Sequence, residues 1–107
     1  MVDPFGWHVI DANTLGEVRA RLASFESMTW NEILYAYGSP NHRVQLHRLC
    51  QDARDRLVAI NQDDIDSLIS LRVQGKPRVW GILDGSVLVI LWWDPEHLVC
   101  PSLKKYT

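Results

Sequence analysis

The sequence predicts an α+β domain, with N-terminal helices packed on a C-terminal antiparallel β-sheet. Three observations carry this reading. Two Thr-x-x-Glu capping boxes, Thr14 with Glu17 and Thr29 with Glu32, mark helix starts in the first third of the chain. Asp84-Gly85 lies between two apolar, β-branched runs, which is a strong hairpin signal. Val87-Leu88-Val89-Ile90-Leu91 shows no polar alternation, the pattern of a central strand covered on both faces. Helices first and strands last give α+β rather than alternating α/β.

Taken in order, a short strand is predicted over 7–10. After Thr14, Leu15, Val18, Leu22 and Phe25 fall on one helical face. A short helix is predicted over 30–37, with Gly38 as its left-handed C-cap. Ser39-Pro40 reads as an N-cap followed by proline at the first helical position. A long helix is therefore predicted over 39–61. Its buried stripe is Leu46, Leu49, Cys50, Ala53, Leu57 and Ile60, with Arg43, Arg48, Gln51, Asp52, Asp55 and Arg56 on a solvated face. An acidic turn follows over 61–66. Strands are predicted over 68–73, 78–83 and 86–93, with a last short one over 98–100, so the sheet occupies 68–100. The long helix covers one sheet face, and the N-terminal elements or a partner chain cover the other. Residues 1–38 form an N-terminal extension of one domain spanning all 107 residues.

The formal net charge of -2 argues against a surface that binds nucleic acid everywhere. The charge is uneven, however. Residues 1–71 carry 6 Lys/Arg against 10 Asp/Glu, whereas residues 72–107 carry 5 Lys/Arg against 3 Asp/Glu. Only the strand-rich end is thus suited to a polyanion. The N-terminus lacks the basic and apolar regions of a signal peptide, and the longest apolar run, 87–93, is too short for a membrane-spanning helix. Two distant cysteines, Cys50 and Cys100, with no Cys-x-x-Cys, fit a cytoplasmic protein with reduced thiols.

The chemistry-bearing residues gather around the hairpin. Arg72, Lys76, Arg78, Lys104 and Lys105 offer cations, and His97 and Tyr106 can move protons. Metal-free RNA cleavage needs these parts: a base for the 2′-hydroxyl proton, cations for the phosphorane and an acid for the leaving oxygen. Trp80, Trp92 and Trp93 are stacking surfaces for a base in this reading and core residues in the other. His97, just past a strand, is a proton-transfer candidate or a turn residue bonded to a backbone carbonyl. The four histidines and two cysteines form no compact ligand pair; His42 and His47 are five apart, on different faces of a helix. No cofactor or metal site is expected, and no Gly-x-Ser-x-Gly or phosphate-loop motif is present.

Over roughly residues 42–100 this arrangement resembles the RelE/ParE superfamily of small bacterial toxins. In 71–82, Leu71, Gly75 and Arg78 match its pattern of a leucine, a glycine and an arginine opening a strand. The run 88–93, followed by Asp94-Pro95-Glu96-His97, matches its next strand and the histidine beyond. The resemblance implies a helical hairpin backing a twisted antiparallel sheet. It also implies a toxin that cleaves messenger RNA without metal, held by an antitoxin protein, with RNA or the ribosome as target. Arg78 would contact the phosphate, and His97 and Tyr106 would be the acid or base. Arg72, Lys76, Trp80, Lys104 and Lys105 would bind RNA. The acidic net charge and the 1–38 extension depart from the family. The competing expectation is a non-catalytic interaction module, acting through an edge strand or a Trp-rich surface on another protein or in a homodimer. Five tryptophans in so short a chain motivate it. A nucleic-acid binder that does not cut is a third reading.

Overall fold

The computed structural model describes residue 7, residues 10–62 and residues 64–100. The architecture is α+β, with helices first and a four-stranded antiparallel sheet following. The elements are α1 (Ala12–Phe25), α2 (Trp30–Tyr35), β1 (His42–Gln45), a 3₁₀ turn (Leu46–Arg48), α3 (Gln51–Ala59), β2 (Ser67–Arg72), β3 (Arg78–Asp84) and β4 (Val87–Asp94). The sheet order is β1-β2-β3-β4, so among the described residues β1 and β4 are its edges.

Helix α1 starts earlier than its Thr14 box predicts. Asp11 is the N-cap, and its carboxylate accepts from the Thr14 backbone N–H at 2.7 Å. This bond holds the Asp11 carboxyl below its ordinary range. The Thr29–Glu32 box forms as predicted: Thr29 Oγ1 accepts from Glu32 N at 3.1 Å, and Glu32 accepts from Thr29 N at 3.0 Å. Val18 and Phe25 of α1 and Ile33 and Leu34 of α2 are buried on one sheet face with Ile69, Leu71, Val79 and Trp93. The predicted strand at 7–10 does not form within the described residues; Trp7 lies in a 3₁₀ turn and stacks on Trp93 at 6.1 Å.

The region 39–61 is not one helix. Ser39 does not open a helix: its hydroxyl donates to the Ile33 carbonyl and closes the end of α2. Asn41 is 3% exposed and holds two segments at once. Its Nδ2 donates to Ile33 O at 3.2 Å, and its Oδ1 accepts from Arg72 N at 2.9 Å. The chain then pairs with β2, His42 opposite Ser70 through Gln45 opposite Ser67. The helix resumes at Gln51. Even so, the predicted stripe faces one core. Leu49, Ala53 and Leu57 are buried, and Leu46, Cys50 and Ile60 pack against them, with Leu68, Trp80, Trp92 and Val99. Helix α3 thus covers the second sheet face, and the sheet lies between two helical layers. The N-terminal elements provide the first.

Strands β2, β3 and β4 fall close to their predicted limits, with the turn displaced by one residue. Asp84 pairs with Val87, so the loop is Gly85-Ser86. Gly85 has φ 64, and Ser86 has no positive φ, which fits a type II′ turn. A bulge interrupts the β3–β4 ladder: Trp80 pairs with Trp92, but Gly81 pairs with Ile90. Leu91 is the extra residue, so Leu91 and Trp92 both pack toward α3. Residues 98–100 form no strand; they run back toward α3, where Cys50 N donates to Val99 O at 2.7 Å. Among the described residues no helix is long and apolar enough to cross a membrane. The radius of gyration, 13.5 Å, is that of a compact chain of this length.

The bulge leaves no room at Gly81. A Cβ there would lie 2.7 Å from Val89 O and 2.9 Å from Leu88 Cδ1. Gly81→Ala is expected to destabilise the fold by about 2 kcal/mol through overpacking against backbone. Urea unfolding of the two proteins checks this; equal midpoints would show that the bulge relaxes freely.

Candidate functional site

The site is built at the end of the sheet where β2 leaves, β3 enters and β4 leaves. Arg72, Arg78 and Asp94 lie on one rung across these strands: Arg72 pairs with Arg78, and Arg78 pairs with Asp94. The loop between β2 and β3 is tight, with Gly75 at φ 70 and Val73 N donating to Pro77 O at 3.3 Å. Such a loop turns carbonyls inward. Arg78 Nη1 donates to three of them, Gly75 O at 2.6 Å, Lys76 O at 2.8 Å and Pro77 O at 3.1 Å. Arg72 Nε donates to Gly75 O at 3.0 Å. Arg21 on α1 reaches the same corner, its Nε on Arg72 O at 3.2 Å and its guanidinium over the Phe25 ring at 4.8 Å.

Two arginines directly opposite one another repel, and such pairs cost stability unless an anion lies between them. Among the described residues neither guanidinium is in ion-pair contact with a carboxylate. Burial holds Arg78 below the ordinary guanidinium range, Arg72 lowers it further, and Asp94 opposes both. Lys76 reaches across to Glu96 at 3.1 Å. Both side chains are well exposed, so this pair adds less than about 1 kcal/mol.

His97 follows in the turn after β4. It has φ 58, a left-handed conformation uncommon outside glycine, and its backbone N–H donates to Asp94 O at 3.4 Å. Burial depresses its imidazole, Arg78 depresses it further, and Asp94 opposes. The ring is therefore neutral near pH 7, the form that accepts a proton.

Arg72, Lys76, Arg78 and His97 are thus brought to one end of the sheet. Trp80 is not available to stack on a base. It is 1% exposed, packed under α3, and its Nε1 donates to Asp94 Oδ2 at 3.1 Å. Its direct partner Trp92 is equally buried, and Trp93 lies in the opposite core. Trp7 and Trp30 are half-buried, Trp30 donating from Nε1 to Ser86 O at 3.0 Å, so no Trp-rich surface forms. Lys104, Lys105 and Tyr106 lie outside the described residues. His42 and His47, read above as helical, sit on β1 and the 3₁₀ turn. Among the described residues no three His, Cys, Asp or Glu side chains gather as a metal site.

The residue that sequence reasoning passed over is Asp94, which falls just past the strand predicted over 86–93. Its carboxylate is 1% exposed and accepts three hydrogen bonds: from Trp80 Nε1, from Leu98 N at 2.9 Å and from Val99 N at 3.0 Å. The available signal was Asp-Pro after an apolar strand, since Asp accepts from backbone N–H groups that follow it in a turn. The arrangement as a whole offers cations for a phosphate group beside a neutral imidazole.

The histidine gives a pH signature. Its folded pKa lies below the ordinary 6.5, so the unfolded chain takes up the proton first as pH falls. The stability contributed by neutral His97 is complete above about 6.5 and declines as pH drops through that value toward the folded pKa. His97→Asn, which tolerates the left-handed backbone, is expected to flatten the loss of stability between about pH 7.5 and 5. Urea midpoints across that range check it; parallel curves would show that His97 titrates alike in both states.

Comparison with models of known families, with curated proteins and with solved structures finds no match to this chain.

Proposed function

We propose that the chain is a toxin-like RNA-cleaving protein whose phosphate site is the Arg72, Arg78 and His97 corner. The observation that supports this is the arginine pair, directly opposed on neighbouring strands, without carboxylate ion pairs among the described residues and beside a depressed imidazole. Guanidinium groups suit the phosphate oxygens, which they grip through paired N–H donors. Neutral His97 is the base for the 2′-hydroxyl proton. The RelE/ParE resemblance supplies the reaction class, names Tyr106 as a further proton-transfer candidate and implies an antitoxin as partner. Each arginine has a structural duty as well, and the test must separate the two.

Arg78→Gln keeps a donor for the loop carbonyls and removes the charge; His97→Asn keeps the backbone and removes the base. Induced expression of the wild type is expected to arrest bacterial growth. At matched soluble levels each variant is expected to lose activity by about a hundredfold or more, read as the rate of RNA cleavage. Ample soluble wild type without arrest or cleavage would sink the reading, as would full activity in both variants.

A second reading rests on β4. Its sequence is that of a covered central strand, but β4 is an edge. Val87, Val89 and Ile90 are 63%, 47% and 37% exposed. An open groove of about 360 Å³, lined by Leu22, Phe25, Met28, Trp30, Leu88 and Ile90 together with Glu26 and Ser86, lies beside it. Edge strands of this kind usually carry charges that block pairing, and 87–93 carries none. A second copy of β4 fits, because antiparallel pairing about a two-fold meets no like charges along the strand. In this reading the protein is an interaction module that self-associates. Light scattering is expected to show a concentration-dependent dimer, weakened at least about tenfold by Val89→Lys. A strict monomer at high concentration would remove it.

A further inference from the structure

Cys50 and Cys100 are far apart in sequence, and neither enters the reading proposed above. The fold brings them together. Cys50 N donates to Val99 O at 2.7 Å, the residue before Cys100. Standard bond lengths on either side of that contact place the Cα atoms of 50 and 100 within about 7 Å of each other. Disulfides span Cα separations of about 4.4–6.8 Å. Both side chains are free thiols, half-buried, packed against the same core of Leu49, Ala53, Leu57 and Val99. Burial raises the Cys100 thiol, Arg48 opposes, and Cys50 and Asp94 add to the rise, so Cys50 lies within electrostatic reach of Cys100.

We propose that Cys50 and Cys100 are a modification site, a thiol pair that a small disulfide oxidant such as oxidised glutathione closes into an intrachain bond. One thiolate attacks a sulfur of oxidised glutathione, forms a mixed disulfide and releases one glutathione thiolate. The second protein thiolate then attacks the protein sulfur of that mixed disulfide and releases the other glutathione. Two protein thiols lose two electrons and two protons; one oxidised glutathione becomes two reduced molecules. The bond would tie the segment that carries His97 and Val99 to the start of α3, enclosing α3 and strands β2 to β4 in one loop.

The test uses the full, folded chain in a glutathione redox mixture, quenched with an alkylating agent and read by intact mass and peptide mapping. The expected product has lost two hydrogens, resists alkylation and yields one cross-linked peptide joining 50 to 100. Cys50→Ser and Cys100→Ser each leave one thiol that carries glutathione. The oxidised wild type is expected to melt higher, by on the order of 10 °C. The ring-closing step, read as conversion of the mixed disulfide to the intrachain bond, is expected to be about tenfold slower in denaturant, since folding sets its geometry. Separate glutathione adducts on both cysteines, cross-links only between chains, or equal rates in the denatured chain would each overturn the proposal.

Discussion

The buried carboxylate of Asp94 organises the end of the sheet on which everything else depends. It sits at the end of β4 and accepts from the indole of Trp80 and from the backbone of Leu98 and Val99. Hydrogen bonds to a charged acceptor are worth about 1.5–3 kcal/mol each, and an orphaned buried donor costs a similar amount. Those bonds offset the burial of a charge, which is otherwise expensive. They also turn the chain back, so that Val99 enters the α3 core and its carbonyl meets Cys50. The indole stays in the core because its one polar atom has a partner.

The same residue sets the electrostatics of the candidate site. It faces Arg78 across the β3–β4 ladder and opposes the effects of burial on both Arg78 and His97. Its oxygens, however, are turned to Trp80 and the following backbone. Arg78 spends Nη1 on loop carbonyls and remains opposite Arg72. Structural needs thus concentrate positive charge at a corner where, among the described residues, loop carbonyls rather than carboxylates hold the two arginines. An anion there gains from charges already positioned, which lowers the ordering cost of binding.

The legible parts of the fold were those with short-range causes. Strands β2 to β4 follow one another through a tight loop and a two-residue hairpin, and their apolar runs show them. The α2 capping box is local and formed as read. Region 39–61 was not legible, because its deciding contacts are distant: Asn41 bridges Ile33 and Arg72, and Val44 is buried only because β1 pairs with β2. Helical spacing in 46–60 still named the buried face, since both the 3₁₀ turn and α3 present those residues to one core. At the site, Arg72, Lys76, Arg78 and His97 were legible as residues flanking a hairpin. Trp80 carried two readings, base stacker and core residue, and the fold selects the core, since strand alternation names a face and not what covers it. Asp94 was missed because carboxylates are rarely fully buried, and only the fold supplies its three donors.

Strand β4 links the two functional readings and also keeps them apart. Its far end carries the exposed Val87, Val89 and Ile90; its near end carries Asp94 and leads to His97. Eight residues of strand separate these ends by roughly 23 Å. A partner paired along the outer half therefore does not cover the cationic corner by contact alone. Between the halves lies the bulge at Leu91, where the ladder slips by one residue and Gly81 meets Val89 without space to spare. Packed interiors transmit such displacements poorly unless they have two stable arrangements. The apolar edge and the cationic corner are accordingly separate surfaces of one strand, so the two proposed readings do not exclude one another.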